Sequence, residues 1–183
     1  MSMSNLIKSI IDTMIEYQAI NNIKGRCITN TQILYDIIRA TDPLLDVKIK
    51  AAIVIIDDSE NNNFIINKGH MVLDIGNENV IDVSYEVASY NNSYYFTNIK
   101  DFMNFSFKNY GKKQCIEIWD KLGGIKKITE DFINFVKHAN EMNNNEFSMH
   151  KSYYNKLCDY IQEKHKHQLF MFTPREMKKY LNK

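Results

Sequence analysis

The chain has 183 residues, 44% of them hydrophobic and 12% aromatic, and its charges nearly cancel at a formal +1. This length and composition are typical of a folded globular chain and exclude a disordered one. Lysine and arginine are scattered rather than massed on one stripe, which argues against nucleic acid as a partner.

The three cysteines, Cys27, Cys115 and Cys158, form no Cys-x-x-Cys pair, and three thiols cannot all pair within one chain. We therefore expect reduced thiols and an intracellular, cytoplasmic protein. The N-terminal MSMSNLIKSIIDTMIEY has acidic residues within its apolar stretch and no small-residue cleavage site. It is predicted to be neither a signal peptide nor a membrane span, so no membrane partner is expected. Oligomeric state cannot be read from the sequence.

Two amphipathic helices are predicted at the start of the chain. Apolar residues recur at helical spacing from Ser4, a plausible N-cap, to about Tyr17. Gly25 marks a turn, and a second helix follows until Asp42 and Pro43 stop it. Cys27 is predicted to lie at or near the first turn of this second helix.

The middle of the chain changes to the pattern of a sheet. VKIKAAIVIID, FIINKGHMVLDI and NVIDVSYEV are β-branched runs separated by the polar turns DDSENNN and GNEN, which predicts a meander of three antiparallel strands. SYYFTN can add an edge strand, and IKDFMNF is predicted to be a short helix.

The pattern after Gly111 is helical. Thr129 is predicted to cap EDFINFVKHANEM, SMHKSYYNKLCDYIQEK forms another amphipathic run, EMNNNEF is a loop, and TPRE at 173–176 is a capping box for a last helix. The predicted fold class is α+β. Residues 1–110 form a core of N-terminal helices packed on an antiparallel sheet, and residues 111–183 form a helical C-terminal extension packed on that core as part of a single compact unit.

Three residues have the chemistry of a nucleophilic triad. A helix N-terminus stabilises a thiolate at Cys27, an imidazole can take its proton, and a carboxylate can orient the ring. His70 and Asp82 lie on two successive predicted strands. Their side chains share a face only if paired residue numbers add to an even value, which a three- or five-residue loop or a bulge provides and a plain four-residue loop does not.

The segments KGRCITNTQILYDII, GHMVLDI and VIDVS together resemble the core of the transglutaminase-like branch of the papain-like cysteine enzymes. The resemblance covers about residues 20–86. It implies a Cys-His-Asp triad at Cys27, His70 and Asp82 on a papain-like fold. Val72 stands where many such enzymes have tryptophan, and Val83 where they have proline. Arylamine acetyltransferases share the order of the three residues, but their Arg-Gly-Gly approach to the cysteine is absent here.

The resemblance implies a cysteine-dependent acyl-transfer enzyme. The preferred function is that of a peptide or isopeptide hydrolase, which acts on a protein or peptide substrate through a thioester intermediate. An amine acyltransferase, or an idle papain-like fold serving as an interaction module, is the alternative. No cofactor and no metal are expected. A second oxyanion donor is sought upstream of Cys27, at Gln18, Asn21 or Asn22.

Other chemistry-bearing residues are given structural interpretations. His138, Cys158, His165 and His167 lack paired-ligand spacing for zinc, and QEKHKHQ is predicted to be a solvated helix end. Cys115 is predicted to lie in the core, and Gly123-Gly124 at a turn. The tyrosines at 153, 154 and 160 are assigned to the core and to a helix interface.

Overall fold

A computed structural model describes residues 3–58, 63–76, 79–88, 90, 92–142 and 150–166. Within these residues the architecture is α+β, as predicted, with seven helices and one four-stranded antiparallel sheet. In chain order the elements are α1 (Asn5–Ile20), α2 (Cys27–Thr41), β1 (Lys48–Asp58), β2 (Asn63–Asp74), β3 (Val80–Ile81), α3 (Tyr85–Ala88), β4 (Ser93–Phe96), α4 (Ile99–Tyr110), α5 (Lys112–Lys121), α6 (Gly124–Met142) and α7 (Lys151–His165). None of the described helices is long and apolar enough to cross a membrane.

The first two helices begin where the sequence predicts. Ser4 caps α1, because its hydroxyl accepts a hydrogen bond from the Ile7 N–H at 3.3 Å. The chain then turns through Gly25, whose φ of +65° favours glycine. Helix α2 starts at Cys27 and ends just before Asp42. The thiol therefore lies in the first turn of α2, as predicted.

The sheet has the strand order β3-β2-β1-β4, which confirms both the meander and the edge strand at SYYF. The third strand is shorter than predicted, since β3 ends at Ile81 and Asp82 lies just beyond it. The Asp82 carboxylate accepts the N–H of Ser84 at 2.8 Å, and this contact turns the chain out of the sheet. Residues 85–87, predicted to belong to this strand, consequently lie in α3.

Strand register determines which side chains can meet. Leu73 pairs with Ile81 and Asp74 with Val80, so paired numbers add to an even value and five residues connect the strands. If this register is extended by one residue, Asp82 stands opposite Val72, and its side chain lies on the same face of the sheet as that of His70. The register condition stated above is therefore met by a five-residue connection.

A bulge interrupts the pairing of β1 with β2 next to His70. Ala52 pairs with His70, but Val54 pairs with Asn67, so that Lys68 and Gly69 stand opposite one residue of β1. An extra residue of this kind bends the strand, and it reverses the face of the sheet to which each side chain beyond it points.

Two apolar clusters hold the helices to the sheet. One joins α1, α2 and α7 to the ends of β2 and β3, and includes Ile10, Leu34, Leu73 and Leu157. The other joins β1 and β2 to α4, α5 and α6. It contains Cys115, which is fully buried as predicted. Helices from both sides of residue 110 thus share cores, and the domain boundary drawn there stays a prediction.

The helical part differs from the prediction in its boundaries. Helix α4 is longer than expected and is capped by Asn98, whose side chain accepts the N–H of Asp101 at 2.9 Å. Helix α6 starts at Gly124, because Gly123 and Gly124 both have positive φ and form the turn there. Thr129 therefore does not cap a helix; its hydroxyl donates to the Ile125 carbonyl within α6. The capping box at 173–176 and most of the EMNNNEF loop lie outside the described residues.

Candidate active site

His70 and Asp82 form a buried pair. His70 Nε2 lies 2.8 Å from Asp82 Oδ2, and the two side chains are 1% and 6% exposed. Strand β2 supplies the histidine from its central part, and the turn after β3 supplies the aspartate. A charge-assisted contact of this length in a water-excluded place fixes both the orientation and the tautomer of the ring.

Asp82 has two further donors. Its Oδ1 accepts the Ser84 N–H at 2.8 Å, and its Oδ2 also accepts the hydroxyl of Tyr95 at 3.0 Å. Burial, followed by the nearby Asp82 charge, raises the pKa of Tyr95 well above its usual range. The Tyr95 hydroxyl therefore stays protonated and donates, so the carboxylate is held from three directions.

The Cys27 side chain is close enough to the His70 ring to hydrogen-bond with it, and both residues line one cleft. Because Nε2 is bonded to Asp82, the nitrogen left for the thiol is Nδ1. The sequence-predicted residues Cys27, His70 and Asp82 are thus brought together in the order thiol, imidazole, carboxylate.

The electrostatics of the site favour an imidazolium at His70. Burial alone lowers the pKa of His70, but hydrogen bonds and charges from Asp82 and Cys27 outweigh burial and raise this pKa to about 10. A protonated ring next to the first turn of α2 is the arrangement that stabilises a thiolate at Cys27.

A cleft of about 460 Å³ opens over the thiol. The start of α2 and strand β2 form its floor with Cys27, Ile28, Asn67, Gly69 and His70. A shallower depression of about 540 Å³ at the start of α5 has no thiol or imidazole among its lining residues.

The opposite wall of the cleft comes from α6 and from the residue before α7. Phe135, His138 and His150 line it. Helix α6 approaches β2 so closely that a Cβ atom added at Gly69 would overlap the Phe135 side chain. The C-terminal helices consequently shape the cleft as well as the core.

Glu86 closes the end of the cleft near the turn that precedes Cys27. Its Oε1 accepts the N–H of Gly25 at 2.8 Å. This contact ties α3 to the backbone that leads into α2, and so contributes to the position of the thiol.

The upstream amides considered as oxyanion donors are engaged elsewhere or lie away from the cleft. Gln18 Nε2 donates to the carbonyls of Met14 and Val83 at 2.9 and 2.7 Å, and Asn21 Nδ2 donates to that of Tyr17 at 2.8 Å. Asn22 is exposed and is not among the lining residues. Gln18 instead has a structural role, because it links α1 to the residue that follows Asp82.

The remaining candidates have structural surroundings. His165 is 7% exposed and Nε2 lies 2.9 Å from the Thr13 hydroxyl, so the predicted solvated helix end is wrong at this residue; burial between α1 and α7 is the reason. His167 lies outside the described residues. Burial raises the pKa of Cys158 to about 12, which keeps this thiol protonated. Among the described residues no group of three or more histidine, cysteine or acidic side chains is placed to hold a metal ion.

Several site residues were not found from the sequence. Asn67, Glu86, Tyr95, Phe135, His138 and His150 lie at the triad or in the cleft. One signal was available for the first of them, since a glycine inside a strand pattern, here Gly69, often marks a bulge. The other residues reach the site through packing between distant parts of the chain, which a local sequence pattern does not predict.

Comparisons with protein-family models, with curated proteins and with solved structures gave no match to this chain.

Proposed function

We propose that the chain is a cysteine-dependent acyl-transfer enzyme whose main reaction is the hydrolysis of peptide or isopeptide bonds. The observation that carries the proposal is the chain of contacts from half-buried Cys27 to His70 and from His70 to Asp82, with 2.8 Å between the last two. The proposal includes a papain-like core of the transglutaminase-like branch and an intracellular, reducing setting, for which the three free thiols are the support.

The reaction starts from the Cys27 thiolate and the His70 imidazolium. The sulfur attacks the carbonyl carbon of an amide, and the π electrons of the C=O bond move to oxygen. Collapse of this tetrahedral adduct breaks the C–N bond, and the leaving nitrogen takes the proton from His70 Nδ1. The products of this half-reaction are a free amine and a thioester on Cys27.

The second half-reaction releases the acyl group. Neutral His70 takes a proton from water as the water oxygen attacks the thioester carbonyl, and the adduct expels the thiolate and leaves a carboxylic acid. Asp82 holds the ring in one tautomer throughout and stabilises its charged form. If a primary amine replaces water, the same residues perform amine transfer.

The proposal is tested with a peptidyl acyloxymethyl ketone, an electrophile that reacts with activated thiols. We expect labelling at Cys27, located by peptide mass spectrometry, to be abolished in Cys27→Ala and to fall about 100-fold or more in His70→Ala, the range in which a positioned base contributes. Cys115→Ala serves as the matched control and should label like the wild type, because Cys115 is fully buried.

Labelling that persists at full rate without His70, or that moves to Cys115 or Cys158, would contradict the proposal and favour an idle fold that serves as an interaction module. For an active protein, incubation with a peptide substrate in water and in added primary amine distinguishes hydrolysis from amine transfer by the mass of the product.

A further inference from the structure

Asn67 enters the cleft because of the bulge in β2. Ala52 and Val54 are two residues apart in β1 and point to the same face, and their partners are His70 and Asn67. In a regular strand two residues three positions apart would point to opposite faces. The extra residue at Lys68-Gly69 thus places both side chains on one face, and both line the cleft with Cys27.

The orientation of the Asn67 amide is determined by one contact. Its Oδ1 accepts the N–H of Gly69 at 3.1 Å. A backbone N–H can only donate, so the oxygen of the amide must face Gly69 and the NH₂ group must point away from it. The bulge therefore holds a two-proton donor beside His70.

We infer that Asn67 Nδ2 is the second hydrogen-bond donor to the carbonyl oxygen that Cys27 attacks, an inference that rests on the proposed acyl-transfer function. The first donor is the backbone N–H of Cys27, which belongs to the first turn of α2, where helices leave N–H groups without an intrahelical acceptor. As the C=O electrons move to oxygen, these two N–H groups receive the developing negative charge.

The other polar groups of the cleft fit this role less well. Asn67 is the one side-chain amide among the lining residues. His138 is exposed on α6, and His150 is half-buried just before α7. Both lie on the opposite wall, whereas Asn67 is fixed on the same strand as His70.

The test compares two reactions of the same thiol. Acylation of Cys27 by p-nitrophenyl acetate passes through an oxyanion, and alkylation of Cys27 by iodoacetamide does not. The variant Asn67→Asp keeps an oxygen for the Gly69 N–H but removes the donor. Asn67→Ser adds no charge and withdraws the donor, because its hydroxyl is one bond closer to the backbone than the Asn67 NH₂ group. Asn63→Asp adds a charge at the exposed start of the same strand and is the control.

We expect acylation by p-nitrophenyl acetate to fall about 100-fold in Asn67→Asp, the loss typical of one oxyanion donor. Asn67→Ser should lose part of this rate, and its alkylation should stay within about twofold of the wild type, since this variant adds no charge near the thiol. Asn63→Asp should match the wild type in both reactions. Thermal unfolding of each variant verifies that it is folded.

Unchanged acylation in the folded Asn67 variants overturns the inference. An equal fall of both reactions in Asn67→Ser also overturns it, because Asn67 would then act on the position of Cys27 or His70. A wild-type protein that is not acylated at Cys27, or is acylated equally fast without His70, overturns the proposed function itself.

Discussion

Tyr95 shows how one hydroxyl can position the carboxylate that orients His70. Asp82 Oδ2 is shared between the His70 ring and the Tyr95 hydroxyl, at 2.8 and 3.0 Å. A hydrogen bond to a charged acceptor contributes about 1.5–3 kcal/mol to stability. Loss of this donor should therefore weaken the fixed geometry of Asp82 without removing its charge.

Tyr95→Phe tests this positioning role. We expect acylation of Cys27 by p-nitrophenyl acetate to slow about threefold to tenfold, and the free energy of unfolding to fall by about 1–2 kcal/mol. Tyr94→Phe is the matched control, because the Tyr94 ring packs against Phe105 in a tilted arrangement at a centroid distance of 4.5 Å, and its side chain points to the other face of β4. Equal acylation rates for Tyr95→Phe and the wild type would contradict the role.

The raised pKa of His70 links stability to pH. The folded pKa of about 10 exceeds the ordinary value of 6.5, so protonation of His70 stabilises the folded state. This contribution is fully present below about pH 6.5 and is lost as the pH rises through about 10. Asp82→Asn keeps a hydrogen-bonding side chain but removes the charge that favours the imidazolium.

Urea unfolding at pH 6.5 and at pH 10.5 measures this linkage. We expect the wild type to exceed Asp82→Asn in stability by about 2–5 kcal/mol at the lower pH and by clearly less at the higher pH. Asp12→Asn removes an exposed carboxylate from α1 and should show a stability difference that does not change over this range. A stability difference for Asp82→Asn that is the same at both pH values would refute the linkage.

The contact between β2 and α6 is the element-scale feature on which the cleft depends. Gly69 leaves space for the Phe135 side chain, and the Lys68–Asp131 ion pair at 2.5 Å joins the same two elements next to it. The bulge, the histidine and one wall of the cleft are thus fixed within four residues of β2.

Gly69→Ala should destabilise the fold by about 1–3 kcal/mol, because the new methyl group overlaps Phe135 in a close-packed contact. In a Phe135→Ala background the space is already vacated, so we expect most of that cost to disappear. A double-mutant cycle of unfolding free energies measures the coupling. Additive costs would show that the two residues do not meet.

Local patterns predict most elements and the triad, but only part of the site. The start of α2 at Cys27 follows from Gly25 and the helical spacing after it. The sequence leaves open whether His70 and Asp82 share a face, because it does not determine the loop length, and the five-residue connection of the structure meets that condition. The early end of β3 is not predicted by a local pattern, because the turn at Asp82 competes with a β-branched sequence that favours a strand. The role of Tyr95 is not predictable from local sequence either, since its hydrogen bond to Asp82 joins β4 to the turn after β3, and these two strands lie at opposite edges of the sheet.

At the scale of the whole molecule, a buried polar network connects the last described helix to the site. Tyr153 of α7 donates to Asn30 Oδ1 at 2.6 Å, and Asn30 Nδ2 donates to Gln18 Oε1 at 2.8 Å. Gln18 in turn donates to the Val83 carbonyl, next to Asp82, at 2.7 Å. A network whose members satisfy one another specifies one arrangement of its helices. Helix α7 therefore contributes to the position of Asp82.

Both cores and the cleft draw on helices from each end of the chain. The central claim is that His70 activates the thiol of Cys27 for acyl transfer.

The most direct test is the rate at which p-nitrophenyl acetate forms an acetyl thioester at Cys27 at neutral pH, followed by intact-protein mass spectrometry of the quenched reaction. The account predicts rapid acetylation of one site in the wild type, none at that site in Cys27→Ala, and a rate lower by about 100-fold or more in His70→Ala. A folded His70→Ala protein that is acetylated at Cys27 as fast as the wild type would contradict it.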